Sequence, residues 1–329
     1  MNLNLYDKNL NRIAIIGSRF KSCLWNEGYN SAEPFTVELN SINEYKKKLQ
    51  KDFYIGRDDR PTLMVIKSIE FMEQSIIVTG FQASRVLDDV AFVGTINESS
   101  NLDESIKNAY NKSNGYYNLV FADSSTGSVY EGQISNKSFL ELCETTCQST
   151  DSGFRVVKNG KQLVAELYKP TEKENLVFSE SFGNLTVDSI SILSENEKNY
   201  AIVLGQGEDE NRTRLDVDLT GGAERKELIV DARDIQQQDG ESLSSYNARL
   251  KARGIEKLIE KSEVFNIKVV PSSADFGTKY DLGDILTVRL PDYGLTLTAR
   301  VERFSQKSQE NRTETTVEVG KILKLKRRR

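Results

Sequence analysis

The chain reads as mainly β with an α+β insert, and three observations support this. Short apolar runs of alternating character recur near both ends. Between about 91 and 180 the spacing turns helical and is followed by a hairpin signal. One long amphipathic helix then interrupts the second β stretch, over about 242–262. The expected division is 1–90 as a first β module, 91–180 as the α+β insert, and 181–329 as a second β module.

In the first module, Ile13-Ala14-Ile15-Ile16 is an apolar run closed by Gly17. Phe20 to Trp25 alternates imperfectly and Phe35 to Leu39 alternates well. A charged helix is expected over Ile42–Gln50. Phe53-Tyr54-Ile55 enters the turn Gly56-Arg57-Asp58-Asp59-Arg60-Pro61, and Leu63–Ile66 and Ser75–Gly80 read as paired strands. Strands at this spacing suit a barrel or a sandwich. Ser84 to Val90 reads as a short helix or exit segment.

In the insert, Leu102 to Asn111 has helical spacing, with Asp103 and Glu104 favourable in its first turn. Phe139 to Cys147 is a second helix, with Ser138 as N-cap and Glu141 completing a capping box. Asn159-Gly160 between two apolar runs is a hairpin signal.

In the second module, strands are expected at 185–190, 200–205, 226–231, 265–270, 285–290, 295–304 and 315–325. The long helix carries its apolar stripe on Leu243, Tyr246, Leu250, Leu258 and Ile259. Gly254 lies on or near that stripe and weakens the helix, which implies close packing there.

The chain has 329 residues and no histidine. That removes the commonest general base, the usual partner of a nucleophilic Ser or Cys, and the commonest transition-metal ligand. It points to a structural or assembly role. Lys+Arg 44 against Asp+Glu 49 is too balanced for a general nucleic-acid binder. The N-terminus lacks a basic region followed by an apolar run, so no signal peptide is expected. No stretch reaches the roughly 18 apolar residues of a membrane span. A soluble protein made in a cytoplasm is expected. Cys23, Cys143 and Cys147 are sparse and odd in number, as in a reducing compartment. Cys143 and Cys147 share a helix face and are expected as buried apolar side chains. Asn211-Arg212-Thr213 and Asn311-Arg312-Thr313 match a glycosylation sequon that has no bearing without secretion.

Four features offer chemistry. Gly205-Gln206-Gly207 follows a strand as a phosphate loop would. It runs into Glu208-Asp209-Glu210 with no Lys-Ser/Thr, so it reads as a turn. Asp216 and Asp218 share a strand face and could converge, and Asp231 and Asp234 offer further carboxylates. Such carboxylates serve glycosidases and cation sites, but also solvated strand faces. Tyr280-Asp281-Leu282-Gly283-Asp284 has good turn chemistry ahead of a strand. Lys324-Leu325-Lys326-Arg327-Arg328-Arg329 is basic, reading as a solvated end or as a salt-bridge partner for an acidic neighbouring subunit. No catalytic, cofactor-binding or metal residue is assigned.

A set of phrases in fixed order carries a resemblance. In the second half these are Gly205-Gln206-Gly207-Glu208, Ala223 to Asp234, Asp281 to Val288, Ala299 to Arg303, and Val317-Glu318-Val319-Gly320. In the first half they are Leu63 to Glu70, Ile76 to Phe81, and Ser84 to Leu87. Together they resemble the baseplate hub proteins of bacteriophage tails, specifically the ReqiPepy-type minor tail family of siphophages. Related hubs occur in contractile tails and phage-tail-like bacteriocins. The resemblance implies two tube-type β-barrels per subunit. It further implies a homotrimer that adapts a sixfold tail tube to a threefold spike or fibre. Its implied partners are the tube or distal tail protein, the spike or fibre protein and the tape-measure protein. DNA would meet it only in passing through the pore, and the mild acidity of the chain suits that passage. Neither cofactor nor membrane anchor is implied, and the place of action is a virion tail or tail-like particle. Two alternatives remain beside it. A cell-wall hydrolase would use Asp216 and Asp218. A host-carbohydrate-binding tail protein would present Tyr116, Tyr117 and Tyr293 in one groove, with Trp25 the single tryptophan.

Overall fold

A computed structural model describes the chain apart from residues 97–99, 194–195, 209–210, 262–263, 270–274, 310–311 and 328–329. The fold is mainly β, as expected. Seven strands fill the N-terminal stretch: β1 (Leu3–Tyr6), β2 (Arg12–Gly17), β3 (Phe20–Gly28), β4 (Pro34–Asn40), β5 (Tyr54–Arg57), β6 (Leu63–Phe71) and β7 (Ser75–Gln82). Helix α1 (Asn43–Lys48) lies among them, and a 3-10 helix (Ala83–Asp89) leads out. β6 and β7 pair antiparallel as expected.

The central segment holds β8 (Ala91–Ile96), β9 (Ser100–Asn101), α2 (Leu102–Lys112), β10 (Leu119–Phe121), β11 (Val129–Tyr130), β12 (Ile134–Ser138), α3 (Phe139–Ser149), β13 (Gly153–Asn159) and β14 (Gln162–Tyr168). Ser138 caps α3 by accepting from Glu141 N. The β13–β14 hairpin turns through Gly160 and Lys161, because Asn159 still pairs with Gln162. Gly160, at φ +59°, supplies the left-handed residue that a tight hairpin needs.

The remainder contains β15 (Glu172–Ser179), β16 (Val187–Leu193), β17 (Tyr200–Leu204), β18 (Arg214–Asp218), β19 (Glu227–Asp231) and α4 (Leu243–Ile259). It ends with β20 (Val264–Val269), β21 (Ile285–Leu290), β22 (Leu295–Gln309) and β23 (Arg312–Arg327). α4 falls where the long helix was expected, with Ser242 as its N-cap.

The first and last strands share one sheet. Its order is β16-β20-β23-β22-β3-β4-β7-β6-β5-β1-β2, with β21 on β22 and β15 parallel on β21. The joint is β22, whose first half takes β21, from Leu295↔Leu290 to Arg300↔Ile285. Its second half takes β3 along the same edge, from Arg303↔Gly28 to Gln309↔Ser22. β23 covers the other edge. One apolar core follows the joined sheet, with Trp25, Phe35 and Val78 beside Phe178, Val288 and Val301.

A second core gathers Leu87, Val90 and Phe92 with α2, α3, β13 and β14. A third is small: β18-β17-β19 form a separate sheet with Val203, Val217 and Val230 against Tyr246, Leu250 and Leu258 of α4. Leu243, expected on the apolar stripe, is instead 60% exposed, and Arg249 is buried among the stripe residues. Leu243, Ser244 and Ser245 are exposed, and the contact of the helix with the sheet begins at Tyr246.

Several strands carry no pattern of their own. β15 begins Glu172-Lys173-Glu174-Asn175, with no alternation, and forms because β21 offers it a parallel edge. β8 with β12 and β9 with β11 form short antiparallel two-stranded ribbons.

Candidate functional site

The carboxylates singled out in the sequence lie on or beside the small sheet, and each is engaged by neighbouring groups. Asp216 accepts from Arg214 Nε at 2.8 Å and from the Tyr200 hydroxyl at 2.8 Å. These bonds, Arg214's first, hold its pKa below the usual carboxylate range. Asp218 accepts from Thr220 N at 2.8 Å and is likewise lowered, chiefly by its bonds to Thr220. Asp231 pairs with Arg212 at 2.6 Å, and that bond lowers it. Asp234 pairs with Arg253 at 2.9 Å. An acid for glycoside cleavage needs a raised pKa. Asp216, Asp218 and Asp231 show the opposite shift, on an exposed face.

The Gly205 turn is committed to packing. Gly205 N donates to Thr213 O at 2.8 Å, and Gln206 N donates to the Tyr246 hydroxyl at 2.9 Å. A Cβ on Gly205 would stand 2.3 Å from that hydroxyl. The Gly205 and Gln206 amides, which a phosphate would require, are therefore spent on the chain.

The aromatic groove of the carbohydrate reading does not assemble from the described residues. The Tyr116 hydroxyl lies 3.5 Å from that of Tyr54 and the residue is half-buried. Tyr117 is 66% exposed and bonds Asn9. The side chain of Tyr293 lies outside the described residues. Trp25 is fully buried.

All three cysteines are buried and free, and burial raises each thiol, Cys23 to about 12. The basic tail continues β23 as far as Arg327, which pairs with Leu295. Arg328, Arg329 and the side chains from Lys321 onward lie outside the described residues.

The Asp281–Asp284 turn does more than reverse the chain: it is where the parts of the molecule meet. Arg60, from the turn before β6, grips Asp281 at 2.9 Å and the wholly buried Glu27 of β3 at 2.8 Å. Glu27 also accepts from Trp25 Nε1 at 2.8 Å and from the Thr62 hydroxyl at 3.0 Å. Burial disfavours the Arg60 cation, but Glu27 and Asp281 outweigh it and raise its pKa. The guanidinium lies 4.8 Å from the Phe276 ring centre, and Phe276 stacks on Phe304 of β22 at 4.2 Å.

Two residues further on, Gly283 has φ +85°, and a Cβ there would sit 2.5 Å from the Tyr29 ring. Its N donates to Val301 O at 2.8 Å, and its carbonyl accepts from buried Arg300 Nη1 at 2.9 Å. Arg300 also pairs with Asp151 of the central segment. Asp284 closes the turn by accepting from Asp281 N at 3.0 Å and Thr171 N at 3.1 Å.

Buried Arg249 of α4 pairs with Glu241 at 2.6 Å and donates to Gln133 Oε1 of the central segment at 2.8 Å. Two buried guanidiniums thus tie the central segment to its neighbours, Arg300 to the large sheet and Arg249 to the small α/β unit, while Arg60 holds the joint to β3. Buried ion pairs of this kind set geometry more than they add net stability. Nothing in the sequence distinguished Arg60, Arg249 or Arg300 from surface arginines; the phrase Asp281-Leu282-Gly283-Asp284 was the one signal pointing at the joint.

The fold is shared with phage tail proteins. The prophage tail protein gp18 of Listeria monocytogenes EGD-e matches at TM-score 0.64 with 12% identity, over 97% of this chain and 94% of that one. The 43 kDa tail protein of prophage MuSo2 from Shewanella oneidensis matches at 0.63 with 12% identity, over 97% and 98%. The tail protein of Neisseria meningitidis MC58 matches at 0.60 with 11% identity, over 97% and 96%. At such identities the likeness is one of fold. Among curated proteins none matches. The model of the Siphovirus ReqiPepy6 Gp37-like protein family matches residues 120–321, more than half of the chain and including all of the Asp281–Asp284 joint. The chain belongs to that family of siphovirus tail proteins.

Proposed function

We propose that the protein is a structural baseplate hub of a phage tail or tail-like particle, acting without catalysis. Three copies form an adaptor between the sixfold tail tube and the threefold spike or fibre assembly, and contact the tape-measure protein. In this reading each chain contributes two tube-type β modules, within 1–90 and 181–329, flanking the insert of 91–180. Assembly takes place in the bacterial cytoplasm, and DNA, where present, passes through the pore.

The observation that carries the reading is the joined sheet. β22 splices the N-terminal strands to the C-terminal ones, so both β sets form one rigid wall, and the strand path ends at β2 and β16. Strand edges at the ends of such a wall are natural contacts for neighbouring copies. The engagement of Asp216, Asp218 and Asp231 favours structure over hydrolysis.

Light scattering across a concentration series, with electron microscopy of the purified protein, tests the proposal. A threefold mass and a ring with a central opening are expected. A chain that stays monomeric at every concentration, and remains so when tube and spike proteins are added, overturns it.

A further inference from the structure

We infer that the cleft between β8 and α2 is a strand-accepting groove, which binds an extended segment of another protein carrying an acidic residue at one end. The cleft has a volume of about 440 Å³, and β8 lines it along its whole length. Among the described residues β8 pairs with β12 alone, along one edge.

The backbone direction on the other side follows from peptide geometry. A trans peptide points its C=O and its N–H in opposite directions, and no peptide here is cis. Val90 O accepts from Phe139 N on the β12 side, so Ala91 N–H points away from β12. Gly94 N donates to Asn136 Oδ1 on the β12 side, so the Val93 carbonyl also points away. A donor and an acceptor two residues apart on one strand edge match the backbone of an added strand.

The opposite wall is one face of α2, where Ser105 and Ala109 are small and leave room for a main chain. Val93, at the rim, is 85% exposed, the highest value among the exposed large hydrophobic residues described. Among the described residues Lys112 is the single charged side chain of the lining, and no ion-pair partner is found for it there. The occupant therefore has backbone to offer β8, small or apolar side chains toward Ala109, and a carboxylate for Lys112.

The test uses the full chain and a fluorescent, end-capped eight-residue peptide alternating Val and Thr, with aspartate at one end. Anisotropy and hydrogen exchange are the readouts. Saturable binding with slowed exchange across 91–96 is expected. Ala91→Pro removes the outward donor, and Val90, at φ −111° and ψ 116°, already has the extended conformation a following proline requires. This variant should abolish binding, and its melting curve beside that of the native chain checks that it still folds. Lys112→Glu should weaken the peptide about fivefold, the scale of one exposed ion pair, and should favour the same peptide with lysine for aspartate. The inference is overturned by absence of saturable binding, by binding without slowed exchange at 91–96, or by indifference to Lys112→Glu. It is also overturned if 91–96 is already protected in the free protein and loses that protection together with mass on dilution, since the occupant is then a second copy. Peptide binding is read per chain, so it and the hub reading fail separately.

Discussion

At the residue scale the molecule depends on charges that the core has enclosed. Glu27 is wholly buried and Arg60 supplies its only ion pair among the described residues. Arg60→Met leaves that carboxylate with Trp25 and Thr62 but no cation. Stranding a buried charge costs ~3–5 kcal/mol, so a clear fall in the denaturant midpoint is expected. Glu144 of α3 has the opposite problem. Burial, then the carboxylates of Glu141 and Asp88, pushes it up to about 7, against a weaker pull from Arg85. A raised carboxyl binds its proton more tightly in the folded chain than in the unfolded one. Its effect on stability is thus absent well below the ordinary value of 4.5, grows unfavourable as pH rises through 4.5 to about 7, and then levels off. Melting temperatures across that window should decline for the native chain, and less steeply for Glu144→Gln.

At the scale of elements, α4 shows helix propensity yielding to packing. Glycine weakens a helix by about 1 kcal/mol relative to alanine, yet a Cβ at Gly254 would lie 2.7 Å from Val203 Cγ2 and 2.8 Å from Val217 Cγ2. Overpacking of that kind costs ~1–3 kcal/mol. Gly254→Ala is therefore expected to destabilise, and Val217→Ala in the same chain to recover part of the loss. Equilibrium unfolding of the two variants decides it; a stabilised Gly254→Ala would mean that α4 can shift off the sheet. At α3, Ser138→Ala removes the bond from Glu141 N and should cost about 1 kcal/mol.

At the scale of the whole molecule, the β22–β3 seam and the Asp281–Asp284 joint hold sequence-distant segments in one frame. Arg300 is the clearest handle, because it bonds Gly283 of the joint and Asp151 of the central segment from within β22. Arg300→Leu should loosen the central segment while leaving each core folded. Hydrogen exchange would then rise together at 29–31, 151–153 and 281–284, with little change in β17 or α4. A uniform rise across the chain would show instead that the three cores unfold as one unit.

The sequence by itself determined the local elements whose cause is local. Alternation specified β4 and the β6–β7 pair, an N-cap serine specified the start of α3, and Gly160 specified a hairpin one residue later than the Asn-Gly pair suggested. These follow from side-chain periodicity and backbone sterics within a few residues. The order of phrases along the chain also pointed to the tail-protein family that residues 120–321 match. Tertiary structure alone decided that β22 joins the N-terminal strands to the C-terminal ones, that β15 becomes a strand on the edge of β21, that Arg249 and Arg300 are buried, and that Arg60 is drawn onto the buried Glu27. Each of those outcomes depends on a partner distant in the sequence or on an edge made elsewhere. Local pattern carries no record of such partners, because an arginine reads the same whether its carboxylate is in the next turn or across the molecule.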